Sequence, residues 1–234
     1  MKTIGMIGGM SWESTLEYYR LINLAVHEKL GGYHSAKCVL VSVDFAEIEE
    51  HQRLGRWAAA AQMLVAAARQ LEHAGADVIV LCTNTMHISA PAIQNAVSIP
   101  FYHIADATAQ AIRGQGIFTV GLLGTRFTME EDFYKGRLTR QHGLRVLIPG
   151  PQDRLIIHRI IYDELVHGII LPESRQAYRQ IISKLSSQGA QGIILGCTEI
   201  GLLVKPEDAA VPVFDTTRLH ALGAVQFALD IQEL

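Results

Sequence analysis

Charge in blocks is missing from this chain, and cysteine is scarce. No long run of either sign occurs in the 234 residues, and the formal net charge is −3. That is not the electrostatic footprint of a nucleic-acid or anionic-membrane binder, so neither partner is expected. The cysteines, Cys38, Cys82 and Cys197, are odd in number and far apart. They make no disulfide framework, and no Cys-x-x-Cys pair suggests zinc or dithiol chemistry. Reduced thiols of this kind fit a cytoplasmic protein. Ten histidines include no His-x-x-x-His pair, so no metal site is expected. No apolar stretch approaches the roughly 20 residues that span a bilayer. The opening MKTIGMIGG reads as a strand rather than a signal peptide.

What is present is a core-forming composition, 49% hydrophobic and 18% charged, in a chain long enough for one large domain or two small ones. Short apolar runs between turn signals predict strands over residues 3–7, 37–43, 77–81, 101–103, 119–123, 145–148, 192–195 and 212–214. Amphipathic stretches over 57–74 and 174–188 predict helices between them. Strands alternating with helices imply an α/β protein with parallel sheets covered on both faces.

The chain also repeats itself. Ile4-Gly5-Met6-Ile7-Gly8 resembles Val120-Gly121-Leu122-Leu123-Gly124. Gly75-Ala76-Asp77-Val78-Ile79 resembles Gly189-Ala190-Gln191-Gly192-Ile193, and Ile99-Pro100-Phe101 resembles Val211-Pro212-Val213. The offsets are 116, 114 and 112 residues. Three matches in order at nearly one spacing predict two Rossmann-like halves, residues 1–98 with 215–234 and residues 99–214, related by a pseudo-twofold axis. Ligands of such folds bind at the carboxyl ends of the strands, here in the cleft between halves.

An offset of 114 pairs Thr83, in Leu81-Cys82-Thr83-Asn84-Thr85, with Cys197, in Leu195-Gly196-Cys197-Thr198-Glu199. Taken singly, Cys197 reads as a small buried hydrophobe and Thr83 as a turn or cap residue. Taken as symmetry mates, they suit a reaction that removes a proton from one face of a carbon and delivers one to the other. Cys82 is expected to point the opposite way, into the core. The loop Gly8-Gly9-Met10-Ser11 suits a close backbone approach to a ligand carboxylate, or a plain strand-to-helix turn. Gly124-Thr125 is its counterpart, and no full GxGxxG dinucleotide fingerprint is present. His87 either orients an acid/base group or sits at the rim, and the rim is the expectation. Gln52 and Arg53 are candidates to hold a side-chain carboxylate.

Cys82-Thr83-Asn84-Thr85-Met86-His87 and Gly196-Cys197-Thr198-Glu199 resemble the two signature segments of the aspartate/glutamate racemase family. Gly8-Gly9-Met10-Ser11-Trp12 and Asp44-Phe45-Ala46-Glu47-Ile48 match it too, and the likeness covers essentially the whole chain. The resemblance implies a homodimer that racemises acidic amino acids with neither pyridoxal phosphate nor metal. Its usual pair is two cysteines; threonine at 83 is similar instead to the subgroup specific for L-aspartate and L-glutamate, with a Thr/Cys pair. It further implies that Met10, Gln52, Asn84, Thr85 and Thr198 contact substrate, with Thr125 added as the loop counterpart in the second half. The segment Leu165-Val166-His167-Gly168 lacks the lysine that many aspartate racemases carry there.

The expected activity is therefore cofactor-independent racemisation of aspartate or glutamate, with Cys197 as a thiolate whose pKa neighbouring amides lower. A decarboxylase or cis-trans isomerase using one dominant cysteine is the alternative enzyme. A binding protein for acidic amino acids is the alternative from another class.

Overall fold

The computed structural model describes residues 1–230. The first sheet is built from β1 (Ile4–Gly8), β2 (Cys38–Ser42), β3 (Val78–Leu81) and β4 (Phe101–Tyr102), all parallel in the order β2-β1-β3-β4. The second contains β5 (Thr119–Gly124), β6 (Arg145–Leu147), β7 (Ile193–Gly196) and β8 (Val213–Asp215), parallel in the matching order β6-β5-β7-β8. Between them run α1 (Trp12–Leu30), α2 (Phe45–Arg53), α3 (Trp57–His73), α4 (Ala90–Gln94), α5 (Ile104–Gly114), α6 (Arg126–Glu130), α7 (Asp132–His142), α8 (Pro151–Asp163), α9 (Pro172–Ser187), α10 (Ile200–Leu203) and α11 (Thr216–Ala228). The class is α/β with two four-stranded parallel sheets. The chain divides into two compact units, one comprising Met1–His103 and the residues from His220 on, the other Ile104–Leu219. No helix among the described residues is long and apolar enough to cross a membrane.

The two-residue period of a strand sends alternate side chains to opposite faces, and the first unit uses both. Val78, Val80 and Cys82 pack with Ile4 and Met6 against Tyr18, Ile22 and Val26 of α1 and Ala221, Ala224 and Val225 of α11. Ile79 and Leu81 pack with Ile7 against Leu64, Ala68 and Leu71 of α3. The helical positions follow from the sequence: Ala60, Leu64, Ala67, Ala68 and Leu71 lie on one stripe at helical spacing, and all are buried. Each large aliphatic side chain so buried contributes about 1.5–3 kcal/mol.

The Gly-Ala repeat has a local cause. Gly75 and Gly189 follow α3 and α9 with φ of 83° and 99°, conformations that disfavour a side chain. Their N–H groups donate to Glu72 and Ser186, and those of Ala76 and Ala190 donate to Leu71 and Leu185. Both are Schellman closures, which satisfy the last helix carbonyls and turn the chain into the third strand of each sheet.

The segment that follows α10 is tied down by charge. Asp208, its side chain fully buried, accepts from Arg175 Nε at 2.7 Å, Arg179 Nε at 2.6 Å and the Lys205 N–H at 2.8 Å. Burial pushes this carboxyl up, but these three donors outweigh it and hold it below the usual carboxylate range. A depressed folded pKa contributes stability that is present above the unfolded value of about 3.9 and is lost as pH falls through the folded one. Asp208→Asn is expected to lower the urea midpoint at pH 7 and to flatten the loss of stability below about pH 4. Urea titrations across that range check this; an unchanged acid limb contradicts it.

Candidate active site

In the first unit, β1 pairs with β3, and the Cys82 N–H donates to the Ile7 carbonyl at 2.9 Å. The loops leaving the two strands, Gly9-Met10-Ser11 and Thr83-Asn84-Thr85, therefore start side by side. Gly9 has φ of 94°, and a Cβ there would lie 2.1 Å from the Val43 carbonyl oxygen. The close approach that requires glycine is thus to the chain after β2. Ser11 caps α1, accepting from the Ser14 N–H, and Met10 is buried in the core on the α3 side. Gln52 on α2 is buried, with Nε2 3.1 Å from Met86 Sδ. That contact ties α2 to the 3-10 turn Thr85–Ser89, which carries Thr85 and follows Asn84. Arg53 projects outward toward Glu49 at 3.8 Å, as a solvated pair.

Thr83 retains 7% of its surface, while Cys82 is fully buried in the core, its thiol pushed up first by burial and then by Cys38. His87 differs from expectation. It is 1% exposed, beneath the Thr83 loop, and its Nδ1 lies 2.6 Å from the Thr83 carbonyl. The 3-10 turn Thr85–Ser89 carries it, and His103, Phe101 and His220 pack around its ring.

In the second unit β5 pairs with β7 through Gly124 and Gly196. A Cβ on Gly124 would lie 2.8 Å from the Gly196 carbonyl. Thr125 and Cys197 follow these paired glycines and so leave neighbouring strand ends. Thr125 caps α6, accepting from the Thr128 N–H. Cys197 retains 8% of its surface, and Thr198 is equally sheltered. The Cys197 thiol donates to Glu199 Oε2 at 2.9 Å, and the Thr198 hydroxyl donates to the same oxygen at 2.8 Å.

This carboxylate overturns the expectation of a lowered thiol pKa. Burial first, then the charge of Glu199, then its acceptance of the S–H bond raise the Cys197 thiol well above its ordinary value. The N–H groups of Glu199 and Thr198 act in the opposite direction and are outweighed. Cys197 therefore rests as a thiol with a proton acceptor already bonded to it. Glu199 is thus a further candidate site residue, which spacing alone did not single out. Its signal was a carboxylate two positions after a cysteine at a strand end. Among the described residues no group of three or more His, Cys, Asp or Glu is placed to hold a metal.

A family model described as Asp/Glu/Hydantoin racemase matches residues 7–224. The chain is similar to the broad specificity amino-acid racemase RacX of Bacillus subtilis (strain 168), at 27% identity over 176 residues and 72% of each chain. It is similar to a solved structure of a candidate Asp/Glu racemase from Yersinia pestis, at 60% identity and a TM-score of 0.92, covering 98% of this chain and 100% of that one. It is also similar to an aspartate racemase homologue from Pyrococcus horikoshii OT3, at 36% identity and a TM-score of 0.84, with the same coverage.

If Glu199 keeps Cys197 protonated, Glu199→Gln lowers the thiol pKa. Thiolate fraction rises tenfold per unit of pKa, while nucleophilicity falls about threefold, a net gain of about threefold per unit. Iodoacetamide labelling of Cys197 at pH 8, followed by peptide mass mapping, is expected to be faster in the variant. Cys38, pushed up to about 11 by burial, should label slowly in both proteins. An unchanged Cys197 rate contradicts the assignment.

Proposed function

The chain belongs to the Asp/Glu/Hydantoin racemase family, and from that membership we propose that it racemises acidic amino acids, aspartate or glutamate, with no cofactor, using Thr83 and Cys197 as its two acid/base residues. The observation that carries this is the buried Cys197 thiol bonded to Glu199 at 2.9 Å, a cysteine with its own proton acceptor at a strand end. Family membership supports the reaction class, and the names of the relatives favour acidic amino acids as the substrate.

The resting thiol first passes its proton to Glu199, leaving a thiolate. Cys197 Sγ then takes the α-proton of the L-enantiomer. The resulting carbanion is stabilised by hydrogen-bond donors around its carboxylate, where the negative charge develops. Met10, Gln52, Asn84, Thr85, Thr125 and Thr198 are the residues proposed to surround the substrate. Thr83 Oγ delivers a proton to the opposite face, giving the D-enantiomer. Cys197 is left as the thiol it began as, with one extra proton on Glu199 and a proton deficit at Thr83, and exchange with solvent restores both of these. An alcohol donates a proton far more readily than it abstracts one, so the two directions differ in kcat and KM. Their kcat/KM values remain locked together by an equilibrium constant of one.

In D2O, Cys197→Ala is expected to lose both racemisation and L-substrate α-exchange. Thr83→Ala should lose racemisation by at least about 100-fold, the low end of what one acid/base group supplies. It should keep L-substrate exchange, because Cys197 still removes and returns a proton on its own face. Thr83→Cys should change kcat/KM equally in both directions. Chiral chromatography with mass spectrometry reads all three variants. Racemisation that survives in Thr83→Ala overturns the two-residue assignment. Turnover of a 2-substituted malonate or of maleate, but not of aspartate or glutamate, overturns the substrate class.

A further inference from the structure

His87 is the buried group that this chemistry does not use, and its surroundings are unusual. Its Nδ1 lies 2.6 Å from the Thr83 carbonyl oxygen. A carbonyl only accepts, so the proton sits on Nδ1 and the tautomer is fixed. The ring meets His103, Phe101 and His220 edge to face, with centroids 4.5, 5.4 and 5.8 Å away. Those neighbours are themselves held. His220 Nε2 lies 2.7 Å from the Tyr102 carbonyl, so it carries the proton there, and a neutral His220 accepts the Tyr18 hydroxyl at Nδ1, at 2.8 Å. Tyr102 stacks on His220 at an interplanar angle of 13°. Phe101 of β4 and His220 of α11 thus pack on the His87 imidazole, Tyr18 of α1 holds His220 in turn, and His87 grips the main chain of Thr83.

The Thr83 main chain needs such a grip. Sheet pairing ends with the Cys82 N–H, and the Thr83 N–H turns back onto Leu81 at 2.9 Å. The chain then enters the 3-10 turn, where the His87 N–H donates to Asn84 at 3.0 Å. The His87 side chain, from the middle of this turn, bonds back to the carbonyl of Thr83 just before it, and the loop closes on itself. Because the peptide is planar, an anchored carbonyl excludes the flipped orientation and fixes the direction in which Thr83 leaves the strand.

On the reading of Thr83 given above, we infer that His87 is its positioning residue: the Nδ1–H bond to the Thr83 carbonyl holds the hydroxyl in line with its substrate carbon. His87 touches no substrate in this role. Its loss leaves Cys197 and Glu199 intact and displaces only the second proton donor. A displacement near 1 Å costs about 100-fold in rate.

The test uses the full chain in D2O. His87→Phe keeps an aromatic ring and removes the donor. Racemisation is expected to fall about 100-fold, while L-substrate α-exchange stays within about twofold of the unmodified enzyme. His87→Asn places an amide N–H where Nδ1 was and is expected to recover most of the racemisation. Racemisation and exchange falling together in His87→Phe would mark a merely structural role and overturn the inference, as would an unchanged ratio. Thr83→Ala, run alongside, separates the two claims. If it retains racemisation, the reading of Thr83 fails. If it loses racemisation while His87→Phe behaves normally, only the role of His87 fails. Should His87→Phe not fold, nitrogen NMR of the unmodified enzyme decides: the Nδ1–H tautomer with a coupling to the Thr83 carbonyl carbon supports the inference, and the Nε2–H tautomer overturns it.

Discussion

In each sheet the first strand pairs with the third, and that pairing decides which loops meet. Parallel strands end at the same edge, so residues following paired positions emerge together. Ile7 pairs with Leu81, and the chain beyond them gives Gly9-Met10-Ser11 beside Thr83-Asn84-Thr85. Gly124 pairs with Gly196, and beyond them come Thr125 and Cys197. The glycines at 124 and 196 belong to this constraint, since a Cβ on either would lie 2.8 Å from the facing strand's carbonyl oxygen. The Schellman closures at Gly75 and Gly189 deliver the third strand of each sheet to its place. Local turn chemistry, sheet register and the placement of the reactive residues are one chain of cause.

The two proposed acid/base residues stand in unlike settings. Cys197 is governed by a charge: Glu199 raises its pKa and at the same time offers the proton a destination. Low exposure strengthens that bond, because few water dipoles compete with it. What distinguishes Thr83 is a main-chain anchor, His87 on its carbonyl. One residue is tuned in its acidity and the other in its position. That contrast matches the chemistry of a thiol, whose proton moves near neutral pH, and of an alcohol, which acts only when well placed.

Much of the fold was legible in the sequence because strands and helices are written in local periodicity. The strand over 78–81 shows as a continuous apolar run, and the helix Trp57–His73 shows as a stripe of alanine and leucine. The Gly-Ala repeat carried the equivalence of Thr83 and Cys197, since those closures are local too. What was not legible depends on neighbours distant in sequence. His87 reads as a rim residue until His103, Phe101 and His220 arrive from separate segments to bury it. The Cys197 pKa was misjudged because its sign depends on burial and on where the Glu199 side chain turns, neither of which spacing specifies. Why position 9 must be glycine was not legible either, because its clearance against Val43 is a tertiary fact.

The central claim is that two different residues handle the proton on opposite faces of one carbon. The isotopic composition of the first product measures this most directly. L-aspartate and L-glutamate, protiated at Cα, are converted in D2O to a few per cent, and each enantiomer is analysed by mass spectrometry. Two residues give a D-product carrying solvent deuterium at Cα, because its proton comes from Thr83 and never from the substrate. A D-product that retains substrate protium would mean that one group both removes and returns the proton, and it would contradict the account.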